Sequence, residues 1–152
     1  MPIKAAEIKK LRQETGAGVM DCQKALQESD GDWDKALAWI KQKGLANAEK
    51  KADRQTSEGY VGSYVHSNGK LAALVELQCE TDFVARGEEF RQLAGEIAMQ
   101  VAAMAPASAE DLLAEELVKR PGTTVAIAIK ELSGKIGEKM QLGKFVRLQV
   151  GD

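Results

Sequence analysis

The chain is poor in the residues that usually bind metals or form covalent links. It contains a single histidine, His66, and two cysteines, Cys22 and Cys79, which lie far apart and form no C-x-x-C motif. A structural zinc site needs several clustered cysteines or histidines, so we expect no metal. In a reducing compartment we expect two free, buried thiols, with a disulfide as the less favoured alternative.

Signatures of catalysis are missing as well. The chain has no phosphate-binding loop, since "SGK" at residues 133–135 lacks the upstream glycine, and it has no G-x-S-x-G elbow. A lone histidine such as His66 is more often a surface residue than a general base. Neighbours such as Glu88 and Glu89 would point to different sides of a helix and cannot act as a catalytic pair. We therefore expect no enzyme activity and no cofactor.

Long apolar runs are absent too, and the start, "MPIKAAEIKK", lacks the apolar segment and cleavage site of a secretory signal. The apolar fraction of 44% and charged fraction of 29% are typical of a soluble globular protein. The net charge of -2 argues against a dedicated nucleic-acid binder, because such domains are usually basic. We expect a cytoplasmic protein that binds neither membranes nor nucleic acid directly.

The first third of the chain has the apolar spacing of three short helices. The first ends at "TGAG", where Gly16 and Gly18 suit positive φ angles. The second carries Met20 on its apolar face, which by pattern alone is a core residue. Asp32 looks like the N-cap of the third helix, and Gly44 is expected to end it. Helices this short are stable only when packed together, so the pattern predicts a small bundle.

A charged segment, "LANAEKKADRQTSEG", follows the bundle. We interpret it as a connecting helix that unravels into a linker. Its basic run, Lys50, Lys51 and Arg54, is best explained as a solvated helix end favoured by the helix dipole. A contact with a phosphate or an acidic partner is the alternative.

The apolar period changes from Gly59 onward. Two strand-like runs, "YVGSYVH" and "LAALVELQC", flank "SNGK", and its Asn68-Gly69 pair is a strong hairpin signal. The second run is nearly all apolar, which suits a strand covered on both faces. A helical stripe then runs from Phe90 to Val101.

The remaining third is divided by prolines. Pro106 ends the long helix, Ser108 looks like the N-cap of the next, and Pro121-Gly122 breaks the chain again. "TTVAIAIKELSGKIG" predicts a last helix and "KFVRLQV" a closing strand. The predicted fold is α+β, with a small antiparallel sheet and packed helices. The predicted divisions are a three-helix domain at 1–45, a connecting segment at 46–58 and an α+β core at 59–152.

One stretch, "CETDFVARGEEF", joins the second strand to the long helix. Phe83 lies seven residues before Phe90, so on a continuous helix both rings would face the core. Gly87 weakens that continuity. Asp82 could be a plain N-cap. The pattern favours a buried Phe83 but leaves an exposed one open.

Several stretches together resemble one family. They are "LRQETGAGVMDCQKAL", "GDWDKALAWIKQKG", "KKADRQTSEG", "VELQCETDFVARGEEF" and "KIGEK". In this order they resemble the elongation factor Ts family, the guanine-nucleotide exchange factors for the GTPase elongation factor Tu. The match runs from the N-terminus to about residue 104 and resumes at Lys135. A lone T-D-F would carry no such meaning.

The resemblance implies a ubiquitin-associated-like three-helix domain, an α+β core and a set of contacts with elongation factor Tu. The T-D-F-V-A motif of the family approaches the G domain of that GTPase and disturbs the site that holds Mg²⁺ and phosphates. It maps onto Thr81, Asp82, Phe83 and Val84. The helical domain of the family docks on the same G domain, which implies Arg12, Val19 and Met20 as contacts. Nearby, the resemblance places Ile136 and Gly137.

The middle of the chain departs from the family pattern. Familiar members carry several dozen more residues where this chain has only "RPGTTVAIAIKELSG". The role of the missing part stays open, and so does a homodimer through the core. The alternative to an exchange factor is a bare interaction module, such as a ubiquitin-like-binding helical domain joined to an unrelated core.

Overall fold

Residues 2–152 are described by a computed structural model. The helices are α1 (Ala5–Thr15), α2 (Val19–Glu28), α3 (Trp33–Glu49), α4 (Asp82–Ala85), α5 (Glu88–Met104), α6 (Ala109–Ala114) and α7 (Val125–Ile136). The strands are β1 (Glu58–Val65), β2 (Leu71–Cys79) and β3 (Gln141–Gln149). Three helices thus precede a hairpin, four further helices and a closing strand. The predicted α+β class is confirmed.

The N-terminal helices enclose a small core of their own. Its buried members are Leu11, Cys22, Ala25, Leu26 and Ala36. Gly16 ends α1 with a φ of 73°, as its position in "TGAG" predicts. The same expectation was wrong for Gly18, whose φ of -67° is ordinary extended backbone at the start of α2. Asp32 caps α3 as predicted, and its carboxylate accepts the Lys35 N–H at 3.0 Å.

Helix α3 does not end at Gly44, as the sequence predicted, but continues to Glu49. Gly44 lies against Gly134 of α7, and a Cβ added to Gly134 would come within 2.2 Å of the Gly44 carbonyl oxygen. Glycine therefore serves here to let two helix backbones touch, not to stop a helix. Lys41 and Glu131 form an ion pair across the same crossing at 3.0 Å. Through this contact α3 joins the bundle to the core, and the predicted boundary at residue 45 falls inside the helix.

The three strands form an antiparallel sheet in the order β1-β2-β3. Asn68 and Gly69 lie in the turn between β1 and β2, so the predicted hairpin is confirmed. Helix α5 crosses one face of the sheet, where Phe90 and Ile97 are fully buried. This layer of sheet and helix forms the larger core of the chain.

Strand β2 is not covered on both faces, as its apolar run suggested. Ala73, Val75, Leu77 and Cys79 are buried on the α5 side. On the opposite side, here called the outer face of the sheet, large apolar side chains are exposed within the described residues. They are Val61, Val65, Leu74, Val146 and Leu148. The apolar run therefore reflects one buried face and one open apolar face.

The segment between α6 and α7, residues 115–124, closes tightly on α5. Gln100 is fully buried, and its amide donates to Glu115 Oε1 at 3.1 Å and to the Glu116 carbonyl at 3.0 Å. Its oxygen accepts the Val118 N–H at 3.0 Å. Arg120 adds an ion pair with Glu96 at 3.0 Å. These contacts close the core without the longer segment that members of the resembled family carry at this place.

Candidate partner-binding site

The T-D-F-V-A motif forms a short tip between β2 and α5. Thr81 is the N-cap of α4, and its hydroxyl oxygen accepts the Val84 N–H at 3.4 Å. Asp82 is the first residue of α4, so the alternative that it is the N-cap is wrong. Residues 81–84 are called the tip.

Phe83 points away from the core, with 85% of its surface exposed. Val84 and Ala85 beside it are buried in the main core and anchor the tip. The interpretation of Phe83 as a core residue is therefore wrong. Helix α4 ends after Ala85 and α5 begins at Glu88, so Phe83 and Phe90 do not share one helical stripe. Val84, proposed from the resemblance as a partner contact, lies on the inner side of the tip.

The tip also presents charge. The Asp82 carboxylate lies 2.9 Å from the Arg86 guanidinium, and both side chains are largely exposed. Ion pairs this exposed are worth little in water, so a partner could displace Arg86 at low cost. An exposed ring and an exposed carboxylate thus stand side by side at the end of β2.

The tip is held from behind by the K-I-G-E segment. Glu138 Oε1 accepts the N–H groups of Glu80 and Thr81 at 3.1 and 3.0 Å. Its Oε2 accepts the Thr81 hydroxyl at 2.7 Å. Sequence reasoning missed Glu138, although the residue stands in a motif it had singled out. The available signal was an acid directly after the glycine that ends a helix.

A second set of contacts ties the linker to the same junction. Arg54 Nη1 donates to the Gly137 carbonyl at 3.2 Å and lies 3.4 Å from Glu80 Oε2. The Lys139 N–H donates to that Glu80 oxygen at 2.9 Å. Lys51 Nζ caps the Asn47 carbonyl at 3.1 Å, as a solvated helix end predicts. Arg54, in contrast, is a structural bridge and not part of a purely solvated run.

The residues proposed for docking lie on either side of the turn between α1 and α2. Val19 and Met20 are 47% and 76% exposed in the first turn of α2, and Arg12 is exposed in the last turn of α1. The pattern-based placement of Met20 in the core is wrong. Ile136, 37% exposed, ends α7 beside Gly137.

The two sets of candidate residues are linked through Lys135. The Gly16 turn lies against this side chain, since a Cβ on Gly16 would come within 2.4 Å of Lys135 Cε. Lys135 Nζ binds Glu89 Oε1 at 3.0 Å, in the first turn of α5. A cleft of about 510 Å³ separates the bundle from the core here. The "TGAG" turn, the end of α7 and the helix that follows the tip therefore meet at one side of the molecule.

Both cysteines are free and buried, as predicted. The Cys79 thiol donates to the Thr81 carbonyl at 3.2 Å. Burial raises the pKa of Cys79 to about 11, and the nearby Glu138 carboxylate adds to this effect. Burial also raises the pKa of Cys22. Neither thiol is therefore a ready nucleophile.

Within residues 2–152, no group of three or more His, Cys, Asp or Glu side chains is arranged to hold a metal ion. No helix in the described part of the chain is long and apolar enough to span a membrane.

The fold and its exposed groups are those of a protein-binding factor that presents an aromatic tip on an α+β core. Comparison with known proteins shows to which family the chain belongs. The family model described as "Elongation factor TS" matches residues 80–152. The chain belongs to the elongation factor Ts family and is a translation elongation factor of the nucleotide-exchange type.

Individual relatives cover both the helical bundle and the core. Elongation factor Ts of Solidesulfovibrio magneticus is 41% identical over 195 residues, spanning 99% of this chain and 98% of the relative. The protein of the same name from Fervidobacterium nodosum is 38% identical over 197 residues and all of both chains. The one from Oleidesulfovibrio alaskensis is 59% identical over 119 residues, 78% of this chain and 60% of the relative.

The lengths of these matches carry further information. The match of 195 residues exceeds the 152 residues of the chain, so several dozen positions have no counterpart here. The chain is a shortened member of its family, as its sequence indicated. A helical module on an unrelated core is excluded, because the match spans nearly the whole chain.

Proposed function

We propose that the chain promotes GDP release from elongation factor Tu by pressing its tip against the site that holds Mg²⁺ and phosphates. The main support for this proposal is Phe83, which is 85% exposed although Val84 and Ala85, which follow it, are buried. An exchange factor acts by binding the distorted, nucleotide-poor state of its partner better than the nucleotide-bound state. A ring that is already exposed and held on a rigid base is suited to that task.

The size of the effect can be judged from interface energetics. A buried aromatic hot spot contributes on the order of 2–4 kcal/mol. At about 1.4 kcal/mol per tenfold, this corresponds to a roughly 30- to 1,000-fold weaker hold on the nucleotide. Phe83 alone can therefore supply a large part of the driving force.

Asp82 would add an electrostatic contribution. Its carboxylate is exposed at the tip and, among the described residues, pairs only with the exposed Arg86. Brought near a phosphate it would repel the negative charge, and carboxylate oxygens compete for Mg²⁺. The ring and the carboxylate would then weaken the same site by different means.

Docking would come from the second set of residues. The turn between α1 and α2 is flanked by one cation and two exposed apolar side chains, Arg12, Val19 and Met20. Ile136 and Gly137 follow Lys135, which contacts the Gly16 turn, and precede Glu138, which binds Thr81 of the tip. Linkage requires that nucleotide binding weaken the grip of the factor by the same ratio, which releases it for another cycle.

A second copy of the chain would cover the outer face of the sheet. A two-fold contact uses the same surface on both partners, and an exposed apolar patch of this kind is rare on a monomer. The outer face of the sheet has a polar end at Glu76 and Lys144 and an apolar centre at Leu74 and Val146. It faces away from α5.

The direct test is release of fluorescently labelled GDP from purified elongation factor Tu. The chain should accelerate release in a concentration-dependent, saturable way. Unlabelled excess GDP prevents rebinding, so the observed rate reports release alone. An unchanged rate at saturating concentrations of the chain would rule the proposal out.

A further inference from the structure

Glu138 faces three hydrogen-bond donors from one short piece of chain. The N–H groups of Glu80 and Thr81 and the Thr81 hydroxyl all point to its carboxylate, at 3.1, 3.0 and 2.7 Å. Hydrogen bonds to an ionised acceptor are about twice as strong as neutral ones. Glu138 and Thr81 are 57 residues apart in sequence, so this contact is purely tertiary.

The carboxylate also fixes the direction of the Thr81 hydroxyl. An ionised carboxylate can only accept, so the hydroxyl proton must point at Glu138. A lone pair of the same oxygen then faces the Val84 N–H, 3.4 Å away, and caps α4. Because α4 is a single short turn, its cap decides how Phe83 is presented.

The backbone around Glu138 is itself fixed by neighbouring contacts. Gly137 ends α7 with a φ of 92°, a left-handed conformation that glycine adopts without strain. This turn sends the chain back toward the end of β2. The Ser133 hydroxyl donates to the Glu138 carbonyl, and Arg54 binds the Gly137 carbonyl at 3.2 Å. The carboxylate therefore sits on a fixed base.

We propose that Glu138 is a positioning residue for nucleotide release, which orients Phe83 through Thr81 without touching the partner itself. The inference rests on the proposed function of the tip. Glu138 directly follows Ile136 and Gly137, which are candidate contacts with the same partner. Its carboxylate thus connects two parts of the binding surface, the end of α7 and the tip.

The test compares Glu138→Ala, Glu138→Asp and Glu138→Gln with the wild-type chain. Glu110→Ala, in the exposed first turn of α6, is the matched control for loss of a carboxylate. Two quantities are taken from GDP release by elongation factor Tu: the maximal rate and the concentration that gives half of it. Amide hydrogen exchange at Glu80, Thr81 and Val84 is followed in the free chain.

The Ala and Asp variants should lose about tenfold in maximal rate, as expected for roughly 1.4 kcal/mol of lost orientation. The half-saturating concentration should change less than about threefold, because the bundle still docks. The Gln variant should recover most of the rate, since its amide oxygen still accepts the two N–H groups. Amide exchange at Glu80 and Thr81 should speed up in the Ala and Asp variants only.

The test separates a failure of the proposed function from a failure of the positioning role of Glu138. If the wild-type chain does not accelerate release, the proposed function fails, and the positioning role fails with it. If the wild-type chain is active and the folded Asp and Ala variants match its maximal rate, Glu138 does not position the tip. If Glu138→Ala does not fold, the Asp variant decides, because it keeps the charge but withdraws it from the three donors.

Discussion

At the scale of single residues, the two buried thiols lead to a prediction about alkylation. A thiol with a pKa of about 11, as burial gives Cys79, is only about 0.1% ionised near pH 8. Iodoacetamide should therefore leave the native chain unmodified near pH 8 and label both cysteines in urea. Labelling of Cys79 in the native chain should begin only as the pH approaches 11. Mass spectrometry of the peptides that carry the two cysteines provides the readout, and rapid native labelling near pH 8 would contradict the buried placement.

Phe83 shows how far the local sequence determines the site. Its spacing of seven from Phe90 predicts a shared core stripe only if one helix runs through both. The chain instead makes a single turn, α4, and starts a new helix after Gly87. Only the family resemblance favoured exposure. The contact between Glu138 and Thr81 could not be predicted, because nothing local joins residues 57 positions apart.

At the scale of elements, the order of most helices and strands could be predicted, but the roles of Gly18 and Gly44 could not. Gly44 resembled a helix end because glycine is common just after helices. Inside α3 it instead meets Gly134 of α7, a tertiary contact that the local sequence does not reveal. Strand β2 was misjudged for a related reason. An apolar run reports low polarity, not which element covers it.

The crossing of α3 and α7 can be tested by adding one methyl group. In Gly134→Ala the new Cβ would lie within 2.2 Å of the Gly44 carbonyl oxygen, so the helices must separate. We expect a loss of about 1–3 kcal/mol in the free energy of unfolding, the usual cost of overpacking. Urea denaturation followed by circular dichroism measures it.

Gly95→Ala is the matched control for this substitution. Gly95 also lies inside a helix, α5, but within residues 2–152 no atom beyond its own stretch of helix lies within 4 Å of its added Cβ. The substitution should stabilise the chain by roughly 0.5–1 kcal/mol, because alanine is the better helix former. Equal stability of the two variants would contradict a direct contact between the backbones of α3 and α7.

At the scale of the whole molecule, the sequence predicted the α+β class, the hairpin and a shortened middle. The structure adds how the shortened segment is closed, through the buried amide of Gln100 and its three bonds to residues 115–118. It also adds the open outer face of the sheet. Neither feature has a periodic signature, because both depend on which elements meet in space.

The outer face leads to a prediction about association. If a second copy covers it, the chain should have the mass of a dimer in light scattering at micromolar concentration. Leu148→Glu places a charge on a side chain that is 75% exposed in the single chain, so it should dissociate the dimer without unfolding it. Val118→Glu, at an exposed position outside the sheet, should not. A monomeric wild-type chain would contradict the proposed pairing.

The proposed function depends above all on an exposed Phe83 that drives nucleotide release. It is tested most directly by the maximal rate of GDP release from elongation factor Tu with Phe83→Ala, expressed per folded molecule. Val118→Ala, which removes an exposed apolar side chain elsewhere, is the control. We expect at least a tenfold loss for Phe83→Ala, on the order expected for a lost hot spot, with thermal unfolding unchanged. A folded Phe83→Ala variant that releases GDP as fast as the wild-type chain would contradict it.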